Sequence, residues 1–203
     1  MNILAIDTST DWSGVSLFKN GECKNSIHEH VPRRHSEVLP KFVQRIMIES
    51  NFKKDDLDAI AVSIGPGSFT GLRIGLGFSK GLAYALNKPI IPVPTLEVIA
   101  NDPSVHFDDF LVMLFSHRNI VYSQKFLNKK PATDPKVSIF DEVDLNNNII
   151  HYGCEKLLDS KSSSKAKPSA ESVGRLALLN FKEWKVDKPY TLTSNYISPF
   201  EVG

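Results

Sequence analysis

The eleven residues Gly65-Pro66-Gly67-Ser68-Phe69-Thr70-Gly71-Leu72-Arg73-Ile74-Gly75 lie between an apolar run and an amphipathic one. A loop that cradles phosphate occupies this position, because glycines let backbone amides close on an anion at a helix start. Two templates fail when counted. A Walker A loop needs Gly, four residues, then Gly-Lys-Ser/Thr, but from Gly65 the sixth position is Thr70, followed by Gly71 and Leu72. A dinucleotide G-x-G-x-x-G from Gly65 also meets Thr70 where its third glycine belongs. What the segment does have is glycine at Gly67, Gly71 and Gly75, and again at Gly77 and Gly81, spaced by four. On a helix that spacing lines up small residues and admits a second backbone. A glycine in a helix interior costs about 1 kcal/mol relative to alanine, so several need a packing reason. The reason is a helix-to-helix contact, within the chain or between subunits, or a tight seat on the helix's own sheet. Arg73 projects beside the stripe, where a long cation suits a salt bridge to a partner.

Asp7 ends the first apolar run and is followed by Thr8 and Ser9. An acid at the end of a first strand can hold a metal-bridged phosphate, or can cap the turn through Thr8 to Thr10. Among the six histidines (His28, His30, His35, His106, His117 and His151) no two are four apart, the spacing that sets two imidazoles on one helix face for a metal. His28 and His30 share a strand face and read as a solvated pair, so no metal is expected. His35 either orients the loop into a helix or faces a partner. Ser36 reads as an N-cap and Ser68 as a turn residue, not as nucleophiles. No catalytic residue is expected.

The elements around these residues alternate in kind. Asn2–Asp7 is a buried strand, Ser13–Phe18 a second, and the hairpin signal Asn20-Gly21 predicts a third over about Glu22–His30. Ser36–Ser50 reads as a helix with Val38, Leu39, Phe42, Val43 and Ile46 on one face, and Pro40 near its start. Leu57–Ile64 is a strand, about Leu72–Leu86 a helix broken by Lys88-Pro89, Ile90–Val93 a strand, and Thr95 caps a short helix to Ala100. Two crossover helices imply parallel strands beside the opening hairpins. This order resembles the ribonuclease-H-like lobe of actin, Hsp70 and sugar kinases. Asn101–Asp109 is a boundary, after which strands Phe110–Phe115 and Ile120–Leu127, a polar loop Ser160–Lys165 and a helix within Pro168–Phe181 follow. An α/β fold of two lobes is expected, over residues 1–102 and a smaller 103–203.

The chain has 203 residues and a net charge of +1, so its composition carries no strong footprint for nucleic acid. If RNA is handled, a partner supplies the positive surface. Cys23 and Cys154 read as free thiols of a reducing compartment. No apolar run approaches the roughly 20 residues of a membrane span, and no basic, cleavable leader follows Met1. A soluble, cytoplasmic protein is expected.

GPGSFTGLRIG, preceded by DAIAVSI and followed by Lys80-Gly81-Leu82-Ala83, resembles the signature of the TsaB family, also called YeaZ. ILAIDTST at 3–10, Pro32-Arg33-Arg34-His35-Ser36-Glu37 and Pro94-Thr95-Leu96-Glu97 agree with it, so the resemblance spans about residues 1–100. The paralogous catalytic family, TsaD or Kae1, carries looser versions of the same landmarks. The resemblance implies an actin-like (ASKHA, ribonuclease-H-like) two-lobe fold with the second lobe reduced. It implies a non-catalytic partner of TsaD in forming N6-threonylcarbamoyladenosine at position 37 of tRNAs that read codons beginning with A. It also implies a heterodimer with TsaD, TsaE in a larger complex, a homodimer when alone, and only indirect contact with tRNA. The partner or dimer interface is expected at His35, Glu37, Leu39, Phe42, Phe69, Gly71, Arg73, Ile74, Gly75 and Phe78.

Actin-fold ATPases clamp nucleotide between two phosphate loops, one per lobe. Here Asp7, Thr8 and Ser9 make at most a residual first loop, since Ser9 stands where Asp-x-Gly has glycine. There is no glycine between Gly81 and Gly153, so a second loop lacks residues suited to left-handed turns. TsaD-type enzymes hold metal with an H-x-x-x-H pair plus an aspartate, and the pair is missing here. No cofactor is expected on the isolated chain, with ATP or ADP only at a composite site in the complex. The alternatives are a self-standing actin-fold ATPase or kinase, and an M22-type metallopeptidase-like enzyme. The second lobe departs from the family pattern: Ser116-His117-Arg118 replaces Asp-Ala-Arg, and Asn195-Tyr196-Ile197-Ser198 lacks the closing arginine.

Overall fold

A computed structural model describes residues 1–159 and 162–193; the tail motif Asn195–Ser198 lies outside the described residues. Strand β1 (Ile3–Asp7) is buried along its whole length, as an uninterrupted apolar run requires of a strand covered on both faces. It is the middle strand of a five-stranded sheet. β2 (Trp12–Lys19) and β3 (Glu22–His30) pair antiparallel on one side, turning at Asn20-Gly21, where both residues have positive φ. β4 (Ala59–Gly65) and β5 (Ile90–Pro94) add parallel strands on the other side, giving the order β3-β2-β1-β4-β5. This is the ribonuclease-H-like order expected from the chain.

Helices α1 (His35–Glu49) and α2 (Phe69–Leu86) supply the crossovers and cover one face of the sheet. Leu4, Ile6, Val15 and Leu17 meet Leu39, Phe42, Ile46 and Leu76 there in one core. Three helix starts differ from the sequence expectation. Ser36 lies inside α1, whose N-cap is Arg34 with no side-chain cap bond; the preceding turn is made by Arg33, in the left-handed region at φ 63°. α2 begins at Phe69, not Leu72, because the Ser68 hydroxyl caps it by accepting from Gly71 N at 3.3 Å. Thr95 opens α3 (Thr95–Ala100) without capping it; its Oγ1 instead accepts from Gly65 N at 3.2 Å and ties α3 to the glycine loop.

The second sheet contains β6 (Phe110–His117), β7 (Ile120–Leu127), β8 (Lys130–Pro131), β9 (Lys136–Ile139), β10 (Asn148–Tyr152) and β11 (Ser164–Lys165). Its order is β11-β10-β6-β7-β8, with β9 also on β7. Leu96 and Ile99 of α3 pack on its near face against Phe110, Val112 and Phe126. Leu158 of the short α4 (Glu155–Leu158) and Cys154 close the far face, and burial pushes the Cys154 thiol up to about 12. Helices α5 (Ala170–Leu179) and α6 (Phe181–Trp184) return to the first sheet. Val173, Leu176 and Ala177 cover Ile3, Ala5, Phe18 and Val93, and Gly174 lies directly against the Phe18 ring. The 103–203 segment is therefore not a self-contained lobe: its final helices complete the core of the first. Among the described residues no helix is long and apolar enough to cross a membrane.

Glu97 of α3 is half-buried, and desolvation, with the nearby Glu183 carboxylate second, raises its pKa from 4.5 to about 7. A folded-state pKa above the unfolded one means the folded chain binds the extra proton between those values, so this group lowers stability as pH rises from about 4.5 to about 7. Glu97→Gln is expected to raise unfolding stability by roughly 1–2 kcal/mol at pH 8, after discounting for partial exposure, and to leave it unchanged at pH 4. Urea unfolding at the two pH values measures this; an equal gain at both would mean that charge is not the cause.

Candidate functional site

The glycine segment and the Asp7–Ser9 loop meet at the ends of β1 and β4. Asp7, Thr8 and Ser9 are almost fully buried. Ser63 of β4 donates its hydroxyl to Asp7 Oδ1 at 2.5 Å, and Ser9 N donates to the same oxygen at 3.3 Å. The backbone of the loop is closed off by α2. Ser68 N donates to Ser9 O at 2.7 Å, and Thr8 Oγ1 donates to Gly71 O at 2.8 Å. A Cβ on Gly67 would run into Ser9 O, one on Gly71 into Thr8 O, and one on Gly75 into Thr8 Oγ1. Three of the glycines thus exist so that α2 can sit on the Thr8–Ser9 backbone. The side of the loop that carries the Thr8 and Ser9 carbonyls is thus covered by α2, while the buried Asp7 Oδ2 and Ser9 Oγ have no hydrogen-bond partner among the described residues. Asp7 turns inward to the turn and to Ser63, the capping alternative.

The five glycines of the segment do not form one stripe. Gly71 and Gly75 face inward in line with buried Ser79 and Ala83, whereas Gly77 and Gly81 are exposed and have nothing within 4 Å of an added Cβ. The outer face of α2 carries these two glycines, exposed Arg73 and Tyr84, the latter 73% exposed. The Arg73 guanidinium carbon lies 3.7 Å from the centre of the Phe69 ring. A cation held over an aromatic face is positioned for a further anionic or aromatic group.

Half of the expected interface residues are turned away from any partner. His35, Leu39 and Phe42 are buried within the lobe, and Gly71 and Gly75 are filled by Thr8. These five are corrected from interface to internal packing: the apolar face of α1 is spent on the sheet, and the inner glycines on the first loop. Burial lowers the His35 pKa even though Asp7, Asp11 and the Thr10 backbone pull the other way. Glu37 and Arg73 are exposed, while Phe69, Ile74 and Phe78 are half-buried along α2. The outward direction of Gly77 and Gly81 was the feature that spacing alone did not reveal.

Of the expected solvated pair, His30 is exposed, whereas His28 is half-buried. Their rings lie 5.4 and 4.9 Å from that of Trp12, and burial, with Lys167 as the lesser cause, lowers the His28 pKa against the pull of Asp7. No group of three or more histidine, cysteine, aspartate or glutamate side chains is arranged for a metal among the described residues. The β6–β7 turn reaches the left-handed region without glycine: Arg118 has φ 53° and is exposed. Hairpin closure can impose that at about 1 kcal/mol on a non-glycine residue.

A family model described as TsaD, tRNA N6-adenosine threonylcarbamoyltransferase, matches residues 26–155. The chain is 34% identical over 136 residues to the tRNA threonylcarbamoyladenosine biosynthesis protein TsaB of Haemophilus influenzae, covering 66% of this chain and 57% of that one. It is 43% identical over 100 residues to TsaB of Escherichia coli, covering 49% and 43%. A tRNA N6-adenosine threonylcarbamoyltransferase of Clostridium botulinum is 35% identical over 148 residues, covering 62% and 44%. The chain thus spans about half the length of the curated relatives it matches. Among solved structures, YeaZ from Pseudomonas aeruginosa superposes with a TM-score of 0.83 at 24% identity over 96% of this chain and 99% of that one. The ethanolamine utilization protein EutJ of Carboxydothermus hydrogenoformans (TM-score 0.55, 7% identity, 86% and 90% covered) shares the fold alone. The fold is therefore the actin-like one, and by the match over residues 26–155 the chain belongs to the family described as TsaD, within which it is similar to the TsaB (YeaZ) proteins.

Proposed function

We propose that this chain is a non-catalytic, cytoplasmic subunit that pairs through the outer face of α2 with a TsaD-type threonylcarbamoyltransferase in forming N6-threonylcarbamoyladenosine on tRNA. The observation that carries the reading is the exposed Gly77–Gly81 stripe flanked by Arg73 and Tyr84. Each helical glycine costs about 1 kcal/mol, and among the described residues nothing lies within 4 Å of a Cβ added to either of these two. A partner helix pressed against them would account for that cost. The Thr8–Ser9 loop supports the non-catalytic part, because α2 covers the side of it that carries the carbonyls. In this reading ATP or ADP binds at a composite site shared with the transferase, TsaE joins the larger assembly, tRNA contact goes through the partner, and the free chain pairs with itself through the same face.

Arg73→Glu is expected to weaken capture of the transferase by about tenfold, beyond the loss of about 1 kcal/mol of stability that removing its contact with the Phe69 ring entails. Unchanged capture would remove Arg73 from the interface. Deletion of the gene followed by mass spectrometry of tRNA nucleosides tests the pathway: threonylcarbamoyladenosine is expected to disappear, and its retention without a second gene copy would sink the assignment. Isothermal titration of the isolated chain with ATP is expected to give no heat; micromolar binding would overturn the non-catalytic reading.

A further inference from the structure

The two lobes meet at a contact that closes them from the chain's own side chains. Trp12, first residue of β2, projects from the first lobe beside the Thr10-Asp11 turn, whose geometry is held by Trp12 N donating to Thr10 Oγ1 at 3.3 Å. The ammonium of Lys167, on the segment between β11 and α5, lies 4.2 Å from the centre of the Trp12 ring. His28 and His30 lie against the same ring from β3. Burial raises the pKa of Tyr152, at the end of β10 in the second sheet, against the pull of nearby Thr10 and Trp12. Lys167 is itself fixed from the first half, since its backbone N–H donates to Asp102 Oδ2 at 3.3 Å. Just beyond, Ala170 at the start of α5 seats on Gly14, where an added Cβ would meet both the His28 ring and Ala170.

We propose that Trp12 and Lys167, with Tyr152 beside them from the second sheet, form a latch that holds the two lobes in one closed arrangement. One indole takes a cation on its face and imidazoles from its own sheet. A cation over indole is strongest when water is kept off, and half-buried Trp12 offers that shelter. The latch contacts stand between the α3 junction on one side and the α5 seat on Gly14 on the other, so they resist rotation of the second sheet about the α3 junction and the segment leading into α5. The consequence is a body that presents its α2 face with fixed geometry and needs no bound ligand to set the angle between lobes.

The test uses the full chain and three variants, Lys167→Met, Tyr152→Phe and their combination, none of which changes a buried apolar contact. Hydrogen–deuterium exchange is read in peptides spanning 8–16 and 162–172, with 3–7 and 111–115 as reporters of each lobe's own core. A Trp184→Phe background leaves Trp12 as the sole tryptophan, so its emission reads the same contact. The double variant is expected to exchange about tenfold faster at the two junction peptides, with unchanged core peptides and a red-shifted Trp12 emission. Unchanged junction exchange in the double variant overturns the latch. Acceleration spread equally over junction and core also overturns it, because the contact would then support overall folding and not lobe closure.

Discussion

Gly71→Ala is expected to lower unfolding stability by about 3 kcal/mol, while Gly77→Ala, six residues further along the same helix, raises it by about 0.5–1 kcal/mol. The signs oppose because the two glycines point in opposite directions. A methyl on Gly71 drives into the Thr8 carbonyl oxygen, with the Ser68 side chain close by. Thr8 is backbone at the end of the central strand and cannot swing aside, so either α2 lifts off the sheet or the Thr8 Oγ1 to Gly71 O bond is lost. A methyl on Gly77 meets nothing within 4 Å, and only the helix propensity gain remains. Urea midpoints of the two variants measure the pair. If both moved the same way, the seating of α2 on the first loop described above would be wrong. Gly75→Ala falls between them, because its methyl meets the Thr8 hydroxyl, a group that can rotate after giving up its hydrogen bond.

The second large effect concerns the partner face. Gly81→Trp places a bulky ring where an added Cβ has open space, so the fold is expected to tolerate it with a midpoint shift under about 0.5 kcal/mol. Affinity for the threonylcarbamoyltransferase subunit is expected to fall at least about 100-fold, since a backbone approach designed around glycine leaves no room for an indole. Size-exclusion chromatography with a purified transferase, beside the isolated variant, separates the outcomes. Retained complex would move the interface off α2. Lost complex with a retained midpoint would place it there.

Much of this fold was legible along the chain. β1 could be read from five successive buried residues, β3 from an Asn-Gly turn, and α1 from its apolar spacing, because these patterns arise from local backbone geometry and the period of burial. The glycine series was legible as well, and counting correctly denied it two phosphate-binding templates. Its direction was not. Spacing by four says that residues are neighbours on a helix surface, yet it does not say which surface meets the sheet. Gly71 and Gly75 proved internal and Gly77 and Gly81 external, and His35, Leu39 and Phe42 turned from expected interface to core.

The sequence by itself determined the alternation of strands and helices, the absence of either phosphate template, and a family signature across the first hundred residues. Only the tertiary structure decided that Thr8 occupies the hollow beneath α2, that α5 returns to complete the first core, and that Lys167 comes to rest on Trp12. Those contacts join residues 63, 156 and 155 positions apart, and no local propensity reaches that far. They are settled by which apolar faces can be buried together, a property of the packed chain as a whole.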